Sequence, residues 1–480
     1  MVSTGRPDGV LYFNATLITV NQSRDVISDG AILVQNGVIK AIGKTSEIIS
    51  EFGSPQTVIS CSNRIIIPGL INTHAHLAQS LLRGLAEDLP LHSWLCDAIW
   101  PLEASYQDND GYVAARLTIA EMLKSGTTCF LEAMLTHGSG IENVVRAVGE
   151  LGVRACLGKL IKTTETNANL KLNDARDKDV ASMSIEAALM AYKTYHGHFN
   201  DRLHIWFAAG TPRGSPVSAH AAIGSTAHEY GIGMTMHCAE APADRPIFHS
   251  EYNCSPLEFC KKAQLTSKKT VLAHVVHPDP NPDFEIMRES GTTVSHNPTS
   301  NCKLGSGISP IPDMIKANVN VSLGTDGAPC NNTYDMFREM HLAAILHSGA
   351  RESAGLITAY DVLEMATING ARALGLAAEI GSLEIGKKAD FVVVNPDSAD
   401  CAPWDPNGAV GGMDPITLLV HGCTGTNVEK VVIDGIMVVD DGELLHANEK
   451  VIIKQARDSI AGIKKRSGIG ARNHMNINYI

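Results

Sequence analysis

Strand-like and helix-like segments alternate through the middle of the chain, between about residues 65 and 376. The first strand candidate opens with the β-branched run Ile65-Ile66-Ile67, and seven more follow at residues 127–133, 153–161, 203–209, 233–238, 270–274, 292–296 and 318–323. Helical patterns separate them, at residues 112–124, 140–151, 180–195, 217–230 and 336–347. Eight strands alternating with helices over this length predict an α/β protein built on a distorted (β/α)8 TIM barrel. An open doubly wound sheet is the alternative, but no Gly-x-Gly-x-x-Gly follows an early strand.

Both ends of the chain are richer in β structure than the middle. Asn36-Gly37 and Asp434-Gly435 each separate two short apolar runs, which is typical of a two-residue β-hairpin. We therefore expect both termini to build one small β-sandwich domain, with the barrel inserted between them. The predicted divisions are residues 1–64 and 377–450 for the β-sandwich, 65–376 for the barrel, and 451–480 for a C-terminal helix and tail.

Charge and cysteine content narrow the possible partners and location. The formal net charge of −12 argues against binding to nucleic acid or to anionic membranes, since both attract basic patches. No apolar segment is long enough for a membrane span, and the N-terminus lacks the hydrophobic region of a signal peptide. The 11 cysteines include no Cys-x-x-Cys pair, which is typical of thiols in a reducing compartment. We expect a cytoplasmic protein that forms a homodimer or homotetramer.

Histidines and one aspartate stand at the C-terminal ends of four predicted strands. His74 and His76 follow the first strand, His237 lies on the fifth, His274 ends the sixth, and Asp326 comes just after the eighth. Barrel enzymes place their catalytic groups at this end of the strands, so these side chains should meet at one mouth. Each has a plainer interpretation as a rim or turn residue, but their agreement on one face favours a shared site.

Such a set of side chains predicts a site for one divalent metal ion. Three imidazoles and one carboxylate form a nitrogen and oxygen shell that suits Zn²⁺ and also tolerates Fe²⁺. A metal of this kind lowers the pKa of bound water from about 15.7 to about 7, so that hydroxide forms at neutral pH. Asp326 could accept a proton from that water, Glu240 could pass a proton to a substrate ring nitrogen, and His274 could stabilise the developing charge. No lysine ends the fourth strand, where a bridging carbamate would be expected, so we expect one metal per subunit.

Motifs along nearly the whole chain resemble those of the amidohydrolase superfamily. They are Pro-Gly-Leu-Ile-Asn-Thr-His-Ala-His at residues 68–76, Met-His-Cys-Ala-Glu at 236–240, Ala-His at 273–274, Ser-His-Asn-Pro at 295–298 and Gly-Thr-Asp-Gly at 324–327. Within the superfamily the chain is most similar to the S-adenosylhomocysteine/5′-methylthioadenosine deaminase group. That narrower similarity rests on residues 82–89, Trp94, residues 101–103 and residues 300–304.

The resemblance implies a role for several side chains. In the deaminase group the metal is bound at the positions that match His74, His76, His237 and Asp326. The positions that match Glu240 and His274 are catalytic. The position that matches Glu103 holds the ribose hydroxyls, and Trp94 matches a residue in the loop that covers the pocket.

Two positions depart from the pattern of that group. Lys159 stands where the group tends to have an arginine after its third strand, although Lys162 lies close by in the sequence. The group has a Gly-Pro-His-Ser-Pro pattern after the fourth strand, but this chain reads Gly-Thr-Pro-Arg-Gly-Ser-Pro at residues 210–216. Arg213 thereby replaces an imidazole with a permanently charged guanidinium, which favours an oxo or carboxylate group on the substrate. Its other interpretation is a structural ion pair at the barrel rim, and the local pattern is closer to guanine-type deaminases.

The sequence therefore predicts an aminohydrolase that uses a metal-bound hydroxide to release ammonia from an amino-substituted N-heterocycle. The expected substrate is a small molecule, a purine, a purine nucleoside or a pterin. A triazine-type hydrolase that expels chloride or an alkylamine is the competing enzyme interpretation. A scaffold that keeps the barrel without its chemistry is the competing non-enzyme interpretation.

Overall fold

The computed structural model describes residues 9–164, 167, 169–212, 214–406 and 413–470. The strands in this part of the chain are β1 Val10–Ile18, β2 Val26–Gln35, β3 Val38–Lys44, β4 Thr57–Ser60, β5 Ile65–Pro68, β6 Leu70–Ala75, β7 Thr127–Leu135, β8 Arg154–Ile161, β9 Leu203–Ala209, β10 Met234–Cys238, β11 Thr270–His274, β12 Thr293–His296, β13 Val321–Leu323, β14 Phe391–Val394, β15 Val428–Ile433, β16 Ile436–Asp440 and β17 Glu443–Leu444. They form two separate sheets.

The α-helices that accompany these strands are α1 Thr45–Phe52, α2 Leu91–Trp94, α3 Trp100–Glu103, α4 Asp110–Lys124, α5 Ile141–Leu151, α6 Ile185–Tyr195, α7 His198–Asp201, α8 Val217–Tyr230, α9 Asp244–Tyr252, α10 Pro256–Lys262, α11 Pro280–Ser290, α12 Pro298–Lys303, α13 Ile311–Lys316, α14 Ala328–Asn331, α15 Met336–Ala350, α16 Ala359–Met365, α17 Ile368–Leu374, α18 Pro415–His421 and α19 Glu449–Ser467. Short 3-10 segments cover Leu77–Leu82, Ala175–Ser182 and Gly425–Asn427, and a π turn covers Leu95–Ile99. Within the described ranges, every helix is too short or too polar to span a lipid bilayer.

The predicted barrel is present as an eight-stranded sheet. Strands β6 to β13 pair side by side in sequence order, and every pair is parallel. The last strand comes back to the first through a bridge between Ala75 and Asp326, where Asp326 N donates to His74 O over 2.8 Å. The sheet is therefore nearly closed, and its strand ends face one mouth.

Burial explains why these segments become barrel strands. Every residue of β8 is buried, because one face packs inside the barrel and the other meets the surrounding helices. Caps fix where the helices begin and end. For example, Ser184 Oγ accepts from Ala187 N over 3.2 Å at the start of α6, and Gly152 ends α5 in a left-handed conformation with φ 79°.

The second sheet confirms that both termini share one β structure. Its nine strands run in the order β17, β16, β15, β14, β5, β1, β2, β3, with β4 paired to β1. Both predicted hairpins are present, because Asn36 and Gly37 have φ values of 54° and 81°, and Asp434 and Gly435 have values of 54° and 74°. The N-terminal and C-terminal halves join where β5 pairs antiparallel with β14.

One detail differs from the sequence-based prediction. Residues 65–76 were expected to form a single strand that opens the barrel, but β5 belongs to the terminal sheet and only β6 to the barrel. Gly69 separates them, and a Cβ there would lie 2.0 Å from Thr128 Oγ1. A side chain at position 69 would therefore clash with Thr128, and the chain changes sheets at this glycine, four residues after the predicted boundary.

Candidate metal centre and active site

Five predicted side chains meet at the mouth of the barrel. The ligand atoms of His74, His237, His274 and Asp326 all lie within 4.8 Å of one another. His76 belongs to the same cluster, since its Nε2 lies 3.3 Å from His237 Nε2 and 3.2 Å from Asp326 Oδ1. The structure therefore brings together the residues that end the first, fifth, sixth and eighth barrel strands.

This cluster fits a divalent metal ion. Within the described residues, Nε2 of His74 and Nε2 of His274 make no well-formed hydrogen bond, although both rings are fully buried. Burial lowers the pKa of His74 to about 4, so its ring is neutral and keeps a lone pair at physiological pH. Neutral ring nitrogens that converge on a carboxylate are the donor set that zinc-type metals bind.

The carboxylate of Asp326 is held in its ionised form. Burial alone would raise its pKa, but contacts with His74 and His76 hold the pKa well below the usual range. Its Oδ2 accepts a hydrogen bond from Ser300 Oγ over 2.6 Å, and its Oδ1 accepts from Gly327 N over 2.9 Å. The two oxygens are therefore oriented separately, with Oδ1 facing the histidines.

His274 presents a lone pair to the cluster. Its Nδ1 lies 2.9 Å from Asn301 Oδ1, an acceptor, so Nδ1 carries the hydrogen and Nε2 does not when the ring is neutral. Nε2 lies 3.9 Å from Asp326 Oδ2 and 3.8 Å from Glu240 Oε2. This nitrogen can therefore bind a metal or accept a hydrogen bond from a water molecule next to it.

Glu240 lies beside the cluster and outside the group of closest ligand atoms. The turn that carries it is fixed by Asp244, whose Oδ2 accepts from the backbone nitrogens of Glu240 and Ala241, each over 2.9 Å. Its carboxylate is largely buried and faces the cavity next to the cluster. Such a position suits a proton donor better than a ligand.

Backbone strain is concentrated at the same strand ends. Ala239, His274 and Asp326 have φ values of 47°, 73° and 62°, in the left-handed region that non-glycine residues rarely occupy. Each such residue costs roughly 1–3 kcal/mol, and the surrounding barrel must hold it in place. These backbone conformations set the directions of the His274 and Asp326 side chains at the ends of the parallel strands.

A cavity extends outward from the metal cluster. Its apolar wall includes Trp94, Trp100 and Leu160, and its polar wall includes Lys162 and Arg176. Trp94, which the resemblance assigned to the loop over the pocket, is one of the residues that line this cavity.

Lys159 does not line this cavity. Leu160 and Lys162 do, and Lys159 lies on the opposite face of the strand, where its Nζ donates to Ser182 O over 3.3 Å. Burial lowers the pKa of Lys159 to about 8. The structure thus places Lys162 on the wall, where Lys159 was expected to contact substrate.

Glu103 lies one layer behind the cavity wall. Its Oε1 accepts from Gln79 Nε2 over 3.0 Å, and its Oε2 accepts from Arg176 Nη1 over 2.8 Å. Gln79 and Arg176 themselves line the cavity. Arg213, the other expected contact, lies outside the described residues.

The structure adds site residues that the sequence-based prediction did not assign. Ser300 and Asn301 belong to the motif at residues 300–304, which indicates the family resemblance but assigns no role to either residue. Glu132 is a buried acid within an apolar strand, and its Oε2 accepts from Leu77 N over 2.6 Å, just after His76. An acidic residue within an apolar strand is a sequence signal that could have indicated a functional role for Glu132. Arg176 lies in a polar segment without hydrophobic periodicity, so no such signal was present for it.

Comparison with known sequences places the chain among deaminases. The sequence pattern of the amidohydrolase family matches residues 65–438. The chain is 34% identical over 443 residues to the 5-methylthioadenosine/S-adenosylhomocysteine deaminase of Acetivibrio thermocellus, with 92% of this chain and 96% of the relative covered. It is 32% identical over 438 residues to the 5′-deoxyadenosine deaminase of Methanobrevibacter smithii, with 91% and 94% covered.

Solved structures with the same fold include enzymes of related names. An adenosine deaminase from Xanthomonas campestris with bound zinc superposes with a TM-score of 0.84 at 28% identity, covering 95% of this chain and 98% of that one. An atrazine chlorohydrolase from Arthrobacter aurescens TC1 with zinc gives 0.82 at 23% identity, covering 94% and 100%, and Escherichia coli guanine deaminase gives 0.76 at 23%, covering 90% and 99%. The last two similarities show the fold alone. The chain belongs to the amidohydrolase family.

Proposed function

We propose that this chain is a metal-dependent aminohydrolase that removes an amino group from a purine-type heterocycle as ammonia. It would act as a hydrolase of carbon–nitrogen bonds other than peptide bonds. The observation that carries the proposal is the cluster at the barrel mouth, with Glu240 beside it. The cluster consists of His74, His76, His237, His274 and Asp326. A scaffold without chemistry would not be expected to keep both the ligand set and the acid.

The proposed metal is one Zn²⁺ per subunit, held by His74, His76, His237 and Asp326. When bound there it supplies an acidified water as the nucleophile. The zinc bound in the adenosine deaminase structure at 28% identity supports this identity. Fe²⁺ is the alternative that the same ligand types accept.

The side chains around the metal would carry the proton transfers. Glu240 would donate a proton to the ring nitrogen next to the reacting carbon, and Asp326 would accept a proton from the attacking water. The proton on Asp326 would pass to the departing amine, and the second hydrogen of the water would restore the proton of Glu240. His274 Nε2, which presents a lone pair, would hold the attacking water by accepting a hydrogen bond from it. The net reaction adds water to the ring carbon, breaks its bond to nitrogen, and leaves a ring oxo group and ammonia.

Purine nucleosides are the substrate class that the relatives support best. The two relatives named above carry the names of adenosine-type deaminases. Trp94 and Trp100 on the cavity wall provide flat apolar surfaces for a heterocycle. Arg213 is proposed as a contact to an oxo group, because its guanidinium departs from the adenosine-type pattern.

An ammonia-release screen on the metal-loaded protein tests the proposal. The compounds would be adenine and its nucleosides, guanine, pterin and amino-triazines, with Glu240→Gln as the inactive control. We expect one ammonia per substrate from at least one purine-type compound. Release of chloride or alkylamine from triazines, with no ammonia from purines, would instead identify a triazine-type hydrolase. A metal-loaded protein that releases nothing from any compound would support a scaffold.

Assembly and location are further proposals. A homodimer or homotetramer in the cytoplasm is the arrangement that we expect. Light scattering on the purified protein measures the first, and a single subunit mass in solution would contradict it.

A further inference from the structure

The outer part of the cavity is built from a closed set of ion pairs. Arg176 Nε lies 2.9 Å from Asp174 Oδ1, and its Nη2 lies 2.9 Å from Asp174 Oδ2. The remaining nitrogen, Nη1, lies 2.8 Å from Glu103 Oε2. Every nitrogen of the guanidinium therefore already contacts a carboxylate.

Lys162 is paired in the same way. Its Nζ lies 2.6 Å from Asp174 Oδ2 and also forms a hydrogen bond with Asp177. Among the described residues that line the cavity, Lys162 and Arg176 are the two with permanently cationic side chains. Both are thus neutralised by protein acids.

Asp174, the acid that contacts both cations, is charged at neutral pH. Burial alone would raise the pKa of Asp174, but Arg176 and Lys162 lower it to about 2. Three cations face three acids, because Glu103 and Asp177 accompany Asp174 and Lys171 Nζ lies 4.0 Å from Asp177 Oδ2. The described outer wall therefore carries no excess positive charge, and each of these cations is paired with a carboxylate.

The rest of the wall is apolar. Trp94, Leu91, Leu95 and Leu172 lie along it, and the guanidinium carbon of Arg176 lies 4.9 Å from the ring centre of Trp100. A substituent that is attached to the heterocycle and points away from the metal would lie between this apolar surface and the ion pairs. The charges of Lys162 and Arg176 are already balanced by protein carboxylates. A substrate carboxylate there would therefore lie close to Asp174 and Asp177, and its repulsion by these like charges would offset what it gains from the cations.

We propose, resting on the proposed function, that the Glu103–Arg176–Asp174–Lys162 network makes this enzyme select substrates whose outer substituent is uncharged. The network would reject heterocycles that carry a carboxylate or phosphate at that position. These four residues would thus determine specificity without contacting the reacting carbon.

A matched pair of substrates tests this inference. On the nucleoside that the ammonia screen identifies, the 5′ position would carry a thioether chain that ends in a carboxamide or in the carboxylate of the same length. The two compounds have nearly the same size and shape, so the charge is the variable. We expect kcat/KM to be at least about tenfold higher for the amide.

Variants test whether the preference for the amide compound depends on the Glu103–Arg176–Asp174–Lys162 network. Asp174→Asn removes a negative charge from the wall, so it should narrow the preference for the amide relative to wild type. Asp458→Asn is the control, because Asp458 is an exposed acid paired with Lys454 on α19. It should leave the ratio between the two compounds unchanged.

Several outcomes would overturn the inference. Equal or better turnover of the carboxylate compound by wild type would do so, and so would an unchanged ratio in folded Asp174→Asn. If Asp174→Asn does not fold, Lys162→Met decides: a collapse of carboxylate turnover alone would show that Lys162 binds the anion. If the ammonia screen identifies no purine-type substrate, the proposed function fails separately. Calorimetric binding of the same amide and carboxylate pair, built on adenosine, to the metal-loaded protein then decides, and equal affinity would overturn the inference. The same binding measurement decides if the screen succeeds but neither member of the pair is deaminated.

Discussion

Ser300 and Asp326 are joined by a buried hydrogen bond of 2.6 Å, from Ser300 Oγ to Asp326 Oδ2. The other oxygen of the carboxylate faces His74 and His76 at 3.3 and 3.2 Å. Ser300 is the third residue of α12, the helix that follows barrel strand β12. Ser300, which follows strand β12, therefore orients Asp326, the predicted metal ligand that follows strand β13.

Ser300→Ala should weaken metal binding without removing a ligand. Loss of a hydrogen bond that orients a ligating carboxylate typically costs about 10- to 100-fold in metal affinity. Competition with a chelator, read out as metal per chain, measures this effect. Ser300→Thr keeps the hydroxyl and is the matched control. Unchanged affinity in the alanine variant would mean that Asp326 is positioned by the backbone alone.

His237→Ala removes a predicted ligand from the fifth barrel strand. The variant should purify with much less metal and show negligible turnover, because metal affinity depends on the complete ligand set. Elemental analysis of the purified protein gives the metal content. His228→Ala, which alters an exposed histidine on α8, should keep both metal and activity. A full equivalent of metal with wild-type turnover in His237→Ala would show that the ligand set is wrong.

Glu240→Gln should separate catalysis from metal binding. Its carboxylate lies 3.8 Å from His274 Nε2 and outside the closest group of ligand atoms, so the amide should leave the metal in place. We expect kcat to fall by about 10² to 10⁴, the contribution of a positioned proton donor. Metal content and kcat measured on the same preparation test this. Loss of metal with normal turnover per bound metal would make Glu240 a ligand or its support.

The metal cluster could be predicted from sequence because it depends on topology. Once eight parallel strands are recognised, their C-terminal ends meet, and the distance between His74 and Asp326 along the chain no longer matters. β-branched runs and capping glycines mark those strands locally, so the ends of the strands can be predicted from the sequence. The positive φ at Asp326 and His274 could not be predicted, because it is imposed by packing around the mouth.

The outer pocket could not be predicted in the same way. Glu103 was expected to face the substrate, but Gln79 and Arg176, 24 and 73 residues away, cover it. Arg176 lies in a segment without hydrophobic periodicity, so no pattern indicated that it would fold over the cavity. The position of Lys159 has a simpler cause. Alternation along β8 places Leu160 on the cavity face and Lys159 on the other, and Lys162, directly after the strand, also lines the cavity.

The two sheets are joined by a buried ion pair, and its loss should destabilise the fold. Arg154 at the start of β8 contacts Asp390, just before β14, through bonds of 2.9 and 3.1 Å, and both side chains are about 1% exposed. Asp390→Asn leaves the guanidinium without a counter-charge and should lower the free energy of unfolding by about 3–5 kcal/mol. Denaturant titration measures it.

The control for this experiment is Asp458→Asn, which breaks an exposed pair with Lys454. Exposed pairs contribute less than about 1 kcal/mol, so this variant should unfold close to wild type. Equal stability of Asp390→Asn and wild type would contradict a joining role for the buried pair. Metal content per folded chain should be unchanged in both variants, since neither residue contacts the cluster.

Glu339 should give the fold a pH dependence. This fully buried carboxylate on α15 accepts from Asn331 Nδ2 over 2.8 Å and from Thr299 N over 3.3 Å. Burial raises its pKa from 4.5 to about 7, despite those hydrogen bonds. Between these two values the folded protein holds a proton that the unfolded chain has released. The free energy of unfolding contributed by this group is therefore largest at low pH and is lost as the pH rises through about 7.

Glu339→Gln should remove that dependence, because the amide is a neutral analogue of the protonated acid. Urea titrations between about pH 5 and pH 8 should show a fall in wild-type unfolding free energy that is smaller in the variant. Glu289→Gln changes an exposed acid on α11 and should keep the wild-type fall. The same fall in Glu339→Gln would show that Glu339 is ionised in the folded protein throughout this range. Asn331 Nδ2 also donates to Thr325 O over 2.7 Å, next to Asp326, so the variant should also be assayed for metal content. Unchanged metal content would show that Glu339 affects stability separately from the metal centre.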